Sequence, residues 1–351
     1  MLQHAGPALQ VAEKQRGLME NLARIGNVKP ETQLPAIAAE PWGYRHRARL
    51  SVRRVERRGG VLVGFRERRS THVAEMRECH VLPSGVSDLI VPLRELIENL
   101  SIRERLPQVE VAVGDNATAL VFRHLEPLTD EDKGLLKDFA GRHGIHAWLQ
   151  PKGPDSAQPF HPAASELWYE LPEFGVRLFF RPTDFTQVNH AVNRLLVSQA
   201  LRLLDPQPGE RIADLFCGLG NFSLPLARRG AEVIGFEGSA QLIERARQNA
   251  KANGLVVQFE VMNLFEPGLG PYGPFQKILI DPPREGAIEL VRSLPDDWPR
   301  RIVYVSCDTA TLARDAGVLA NVKGFRLVAA GVVDMFPHTA HVESVALFER
   351  S

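Results

Sequence analysis

Polar and apolar positions change rhythm twice along the chain, and the changes divide it. From Gln10 to Ile25 apolar residues recur at helical spacing, and "GNVKPETQLP" then breaks the pattern. Residues 1–30 therefore read as a leading helix and its linker. From Trp42 to about Phe122 the pattern shortens to strands and turns. "RARLSVRRV" alternates, with Arg45, Arg47, Arg49, Ser51 and Arg53 on one face and Ala48, Leu50 and Val52 on the other. "ERRGGVLVGF" predicts a hairpin through Gly59 and Gly60, "VEVAVG" and "TALVFRH" predict strands, and helices are predicted over 87–100, with Ser87 as N-cap, and over 130–141. Residues 31–180 thus read as an α+β domain. After the Pro-rich "QPKGPDSAQPFHPAAS" the chain changes again. From about Asn193 strands alternate with helices: "RIADLF", a helix from Phe222, "AEVIGFE", a helix over 239–253 closed by Gly254, then "VQFEV", "KILID", "RIVYVS" and a helix from Thr309. That alternation predicts an α/β, doubly wound, mostly parallel sheet over residues 181–351, with ligands at the carboxyl ends of its strands.

Composition narrows the class. The chain has 351 residues, enough for two cores, and 42 basic residues balance 42 acidic ones. No apolar run approaches the roughly 20 residues of a membrane span, and the opening lacks a signal-peptide layout, so a soluble, cytoplasmic protein is expected. Three scattered cysteines fit a reducing compartment. The charge is uneven, however. Ten arginines lie between Tyr44 and Ser70 against Glu56 and Glu67, which suits either a solvated face or a polyanion-binding one.

The chemistry is written at the predicted strand ends. "ADLFCGLGNFS" puts Gly218 and Gly220 between a strand and a helix, where backbone can approach a ligand closely. Glu237 ends the next strand, where its carboxylate can accept two ribose hydroxyls. A dinucleotide site would share that outline, but Ser223 stands where its third glycine belongs, and Asp214 precedes Gly218 by four residues in the manner of S-adenosylmethionine sites. "ILIDPPREG" places Asp281 before two prolines that hold an extended backbone. Cys307 ends the following strand just before a helix, whose N-terminus is expected to favour thiolate. A thiolate beside a methyl donor suits methylation of a pyrimidine at carbon 5: addition at carbon 6 makes carbon 5 nucleophilic, and a base then removes the carbon-5 proton. Glu343, in "DMFPHTAHVES", is the expected base; His338 and His341 read equally well as positioning or as structural residues. Cys217 reads as a small packing residue.

Together "FTQVN", "DLFCGLGNF", "FEG", "DPPREGA", "VYVSCDTATLARD" and "DMFPHTAHVESVALF" resemble the RNA uridine-5 methyltransferase family, and "PWGYRHRARLSV", "GFRERRS" and "CHVLP" resemble the central domain of its 23S rRNA members. The resemblance implies a class I methyltransferase domain behind an RNA-binding domain, with S-adenosyl-L-methionine as cofactor and 23S rRNA as partner. No obligate protein partner is implied, and a monomer is expected. Donor contacts are implied at Gln187, Phe216, Asn221, Glu237, Asn263 and Asp281, alongside Gly218 and Gly220; Cys307 is implied as nucleophile and Glu343 as base. Arg45, Arg47, Arg49 and Arg53 become candidate phosphate contacts. The target uridine must leave its stack to reach Cys307. In these relatives a cysteine at the position of Cys79 joins three upstream cysteines in a 4Fe-4S cluster, which takes four ligands. Those three, and the family's small N-terminal barrel, do not occur in this sequence, which puts the cluster in doubt and leaves Cys79 a candidate ligand; the gene start is expected to lie upstream of Met1, with the codons there encoding the cysteines and the barrel. Other readings are a different rRNA or tRNA uridine, or a non-catalytic ribosome-assembly factor. A DNA cytosine-5 enzyme is disfavoured, because its Pro-Cys pair follows the strand that here ends in Asp281-Pro282-Pro283.

Overall fold

The computed structural model describes residues 2–56, 59–266 and 268–350. Its elements in chain order begin with helix α1 (Pro7–Arg24), β1 (Thr32–Gln33), β2 (Arg47–Val55), β3 (Gly60–Gly64), α2 (Ser84–Ser87), α3 (Ile90–Asn99), β4 (Gln108–Val113) and β5 (Thr118–Arg123). Next come α4 (Asp130–His143), β6 (His146–Gln150), β7 (Gln158–His161), β8 (Leu167–Leu171), β9 (Val176–Phe180), α5 (His190–Leu204), β10 (Arg211–Leu215), α6 (Ser223–Arg228) and β11 (Glu232–Glu237). The chain closes with α7 (Ala240–Ala252), β12 (Gln258–Val261), β13 (Lys277–Ile280), α8 (Ile288–Ser293), β14 (Arg301–Ser306), α9 (Thr309–Asn321), β15 (Arg326–Val333) and β16 (Glu343–Glu349). Contacts group them into two compact units, one of residues 1–41, 170–178 and 191–351, the other of residues 42–169 and 179–190.

The smaller unit is α+β. Its six-stranded sheet runs β3-β2-β4-β5-β6-β7, antiparallel except for β5 and β6, which α4 connects. Alternation on β2 works as read: Ala48, Leu50 and Val52 are buried with Phe122, Leu136 and Phe139. Gly59 and Gly60 both take positive φ in the β2–β3 turn; Arg57 and Arg58 lie outside the described residues. Ser87 does not cap a helix. It sits inside the single turn α2, and its hydroxyl accepts the Cys79 N–H at 2.9 Å, so the helical stretch breaks before α3. Thr129 instead caps α4 through a reciprocal box with Asp132, a geometry that satisfies two otherwise orphaned N–H groups.

The larger unit is a doubly wound α/β domain. Its eight strands lie in the order β1-β15-β16-β14-β13-β10-β11-β12. All neighbours are parallel except β16, which runs antiparallel between β14 and β15. Strands buried on both faces read as continuous apolar runs, as "ILI" and "IVYV" do. The leading helix α1 belongs to this unit: Leu18 and Leu22 are fully buried in its core, and β1 pairs with β15. Helices α1 and α9 meet where side chains are absent. A Cβ on Gly26 would stand 2.4 Å from the Ala313 carbonyl oxygen, and one on Gly317 would stand 2.7 Å from the Gly26 carbonyl oxygen.

Two alanine substitutions check this packing with opposite signs. Gly317→Ala is expected to destabilise the protein by ~1–3 kcal/mol, because backbone occupies the space. Gly134→Ala, within α4 and facing open space, is expected to stabilise it by ~0.5–1 kcal/mol. Urea unfolding of both variants measures the difference.

Candidate active site

The order reversal between β10 and β13 opens a crevice at the carboxyl ends of the strands, the usual ligand position in such sheets. Phe216, Gly218 and Gly220 follow β10, Glu237 ends β11, Asn263 follows β12, Asp281 follows β13 and Cys307 follows β14. β16 runs the other way, so its first residue, Glu343, starts at the same rim. The register pairs Ser306 with Ser344, which sets Cys307 opposite Glu343 at the end of the ladder.

The glycine loop is built to leave room. Phe216 has φ +63°, a left-handed conformation that a bulky residue adopts only under constraint. Its ring meets the edge of Phe265 at 5.8 Å. Gly218 has φ +54°, and nothing lies within 4 Å of where its Cβ would be. Glu237 bends over this loop, accepting the N–H of Gly218 at 3.3 Å and of Ser239 at 3.0 Å. Asn221 exchanges amide hydrogen bonds with Asn193 on α5, and the exposed Asn263 accepts the Phe265 N–H. Beneath the loop Asp214 is fully buried; one oxygen accepts from Ser223, and the other has no partner. Cys217 is buried, as a packing residue should be. An open cradle, a carboxylate beside it and a half-satisfied buried acid fit an adenosyl-type ligand with ribose hydroxyls and a cationic centre.

Charge is concentrated here. Burial, with Asp281 and Glu237 nearby, raises Asp214 to about 7 despite the Ser223 hydrogen bond. Desolvation raises Asp281 to about 7. Burial and Asp281 raise Glu343 to about 8, Lys14 opposing them, and Glu343 Oε2 has no hydrogen-bond partner. Cys307 is half-buried and is pushed up to about 11, by burial first and then by Glu343 and Asp281; only Arg284 and a backbone hydrogen bond pull it down. The expected thiolate is therefore not the resting form. Asp308 caps α9, taking the Ala310 and Thr311 N–H groups, so a carboxylate already occupies the positive end of that helix.

The "DPPREGA" turn is tied from behind. Asp315, fully buried on α9, accepts the Tyr304 hydroxyl at 2.6 Å and the Ala287 N–H at 2.8 Å, while Arg314 bonds both Asp315 and the Glu285 carbonyl. Arg284 stays exposed beside the His341 ring, at 3.3 Å. His338 is buried at φ +67° with its N–H on Gln10, the bonding of a structural residue.

The remaining candidates lie in the smaller unit. Gln187 is partly buried there. Arg49 and Arg53 are exposed on β2, but Arg49 pairs with Glu110 at 3.1 Å; Arg47 donates to the Thr183 carbonyl, and Arg45 lies over the Phe65 ring. Arg54, which the alternation did not single out, is shared among Glu56, Glu98 and Glu104. Cys79 packs at the edge of that unit's core, and among the described residues no group of three or more His, Cys, Asp or Glu side chains could hold a metal. These residues do not fit a four-ligand cluster.

The chain matches two known families in its second half, a methyltransferase domain over residues 206–280 and tRNA (Uracil-5-)-methyltransferase over residues 258–351. It is 63% identical, over 99% of its own length and 82% of the relative's, to the 23S rRNA (uracil(1939)-C(5))-methyltransferase RlmD of Thiobacillus denitrificans. It is 60% identical, with the same coverage, to RlmD of Dechloromonas aromatica. Among solved structures it resembles the Pyrococcus abyssi tRNA (uracil-54, C5)-methyltransferase in complex with S-adenosyl-L-homocysteine, at TM-score 0.78 and 27% identity, covering 99% of this chain and 84% of that one.

The raised acid at Glu343 makes stability fall as pH rises. The unfolded carboxyl ionises near its ordinary 4.5, whereas the folded one holds its proton to about 8, so the folded state binds more protons between those values. Glu343→Gln removes that loss. Relative to the parent, the variant is expected to gain stability on the order of a few kcal/mol between pH 5 and pH 8, measured by urea unfolding at both.

Proposed function

Because the chain belongs to the RNA uracil-C5 methyltransferase family, we propose that it methylates carbon 5 of the uridine its bacterial relatives are named for, position 1939 of 23S rRNA. The observation that carries the chemistry is the pairing of Cys307 with Glu343 across the end of the β14–β16 ladder, beside Asp281. S-adenosyl-L-methionine would be held by Phe216, Gly218, Gly220, Asn221, Glu237, Asn263 and Asp281 of the larger unit and would supply an electrophilic methyl group.

Cys307 Sγ forms a bond to carbon 6 of the flipped-out uridine and leaves carbon 5 electron-rich. Arg284 is the cation that favours the thiolate, and Asp281 and Glu343 resist it until they are protonated or occupied. After carbon 5 has gained its methyl group, Glu343 takes the carbon-5 proton, and the electron pair released restores the double bond as the sulfur–carbon bond breaks. A buried carboxyl with an unpartnered oxygen and a raised pKa suits that task, because once ionised it is a stronger base than an ordinary carboxylate. Arg53, exposed on β2, supplies a phosphate contact in the smaller unit, which positions RNA without reading its sequence; Arg49, Arg47 and Arg45 are already engaged by Glu110, the Thr183 carbonyl and the Phe65 ring. The protein acts as a monomer in the cytoplasm, where ribosomal RNA is found; none of its described helices is long and apolar enough to cross a membrane.

A denaturing gel tests the mechanism. With S-adenosylmethionine and a 23S rRNA fragment carrying 5-fluorouridine at the target position, the protein is expected to form a covalent complex, because fluorine cannot leave as a proton does. Cys307→Ala is expected to form none, and Glu343→Gln to trap an adduct even on ordinary uridine. Clean turnover by Cys307→Ala would refute covalent catalysis.

Salt dependence tests the RNA surface. Arg53→Ala is expected to reduce the slope of log affinity against log salt by about 1, without changing preference among RNA sequences. Arg54→Ala, whose charge is already taken by three glutamates, is expected to leave the slope unchanged.

A further inference from the structure

Helix α1 turns a partly polar face inward. Gln10, Lys14 and Gln15 are buried beside Leu18 and Leu22. Each polar side chain bonds the segment between the end of β15 and residue 338, which leads into Glu343. Gln15 accepts the Val332 N–H at 3.0 Å. Lys14 Nζ donates to Asp334 at 2.6 Å and to the Phe336 carbonyl at 2.9 Å. Gln10 accepts the His338 N–H at 2.8 Å and lies 3.2 Å from that ring. One turn from its end the same helix reaches the other catalytic segment, where Asn21 donates to the Thr309 hydroxyl at 2.7 Å, two residues past Cys307.

We propose that Lys14 is a positioning residue for the methylation reaction: it holds the turn that delivers Glu343 and presents a positive charge to that carboxylate. The inference rests on Glu343 acting as the base. Among the described residues, the charged groups that act on Glu343 are Asp281 from the turn after β13 and Lys14 from α1; Glu343 acts in turn on Cys307 after β14, and Asp334 follows Val333, the cross-strand partner of Glu343. Asp334 is ion-paired to Lys14 itself. Of the others, Asp281 opposes ionisation of Glu343 and Lys14 favours it. An ion pair with side chains 2% and 7% exposed is an expensive way to fasten a loop, since apolar residues of similar size would hold it as well or better. A charge kept there is explained by what it does to its neighbour.

Two variants separate fastening from charge. Lys14→Gln retains hydrogen-bonding capacity but loses the charge, and it leaves Asp334 buried without its partner. Lys14→Gln combined with Asp334→Asn removes both buried charges, a change that proteins commonly tolerate. The readout is the pH dependence of adduct release on ordinary uridine RNA, with folding verified by circular dichroism. In the double variant the midpoint of release is expected to move up by about one pH unit, so that below it release slows about tenfold and the covalent adduct accumulates. Lys14→Arg is expected to restore the parent profile. A folded double variant with the parent profile overturns the role of Lys14, provided Glu343→Gln traps its adduct. If Glu343→Gln instead releases product normally, it is the assignment of the base that fails.

Discussion

The site depends on one strand running backwards. Seven of the eight strands in the larger sheet are parallel, and a parallel sheet delivers only strand ends to its active rim. Because β16 is antiparallel, it delivers its beginning. A thiol at the end of β14 and a carboxyl at the start of β16 thereby become neighbours although they are 36 positions apart in sequence. Register is what makes this strict: a slip of one residue on β16 would turn Glu343 to the opposite face, together with every apolar residue behind it. Since that strand is buried on nearly its whole length between β14 and β15, the core itself resists the slip.

The same arrangement sets the electrostatic problem. Asp214, Asp281 and Glu343 gather within one low-dielectric crevice, and all three carboxyls are held above their ordinary range. Without a substrate, their protons lower the cost of the site. In the proposed mechanism, a cationic donor centre and an anionic covalent intermediate would need the opposite charge states at different moments. Acids poised near neutral pH can change state with little energy, which a permanently ionised carboxylate cannot do. Lys14 and Arg284 approach this crevice from different segments, one buried on α1 and bearing on Glu343, the other exposed after β13 and bearing on Cys307.

Much of this was legible from residue order. The strand–helix alternation after Asn193 predicts the doubly wound sheet, and a residue just past a parallel strand must lie at its carboxyl end, which is why Glu237, Asp281 and Cys307 could be placed on one rim. Pattern could not show that "SVALFER" inserts antiparallel between two strands, since periodicity is blind to direction. Nor could it find Lys14: a lysine among apolar positions of a helix reads as a solvated face, and only its partner 320 residues away shows otherwise. Ser87 misled for a related reason, because its hydroxyl serves Cys79 rather than a helix end. The thiolate at Cys307 was expected from the helix alone, before Asp308 was seen to fill its N-terminus. In the smaller unit, β2 showed which arginines face outward but not which of them carboxylates had already neutralised.

The strand order also separates the two halves of the chemistry. The cradle lies at β10, β11 and β12, on one side of the order reversal, and the thiol and carboxyl pair lies at β14 and β16 on the other. Asp281, at the end of β13, stands between them, bordering β10 through the Leu215 carbonyl and raising the pKa of both Cys307 and Glu343. A change in its charge state is therefore felt on both sides. The turn that carries it is stiffened by two prolines and tied through Ala287 to Asp315 and Tyr304 in the buried core, so Asp281 has little freedom to relax away from its neighbours. Rigid placement converts a local protonation into a change of field at the Cys307 thiol and at the Glu343 carboxyl instead of a shift of the loop.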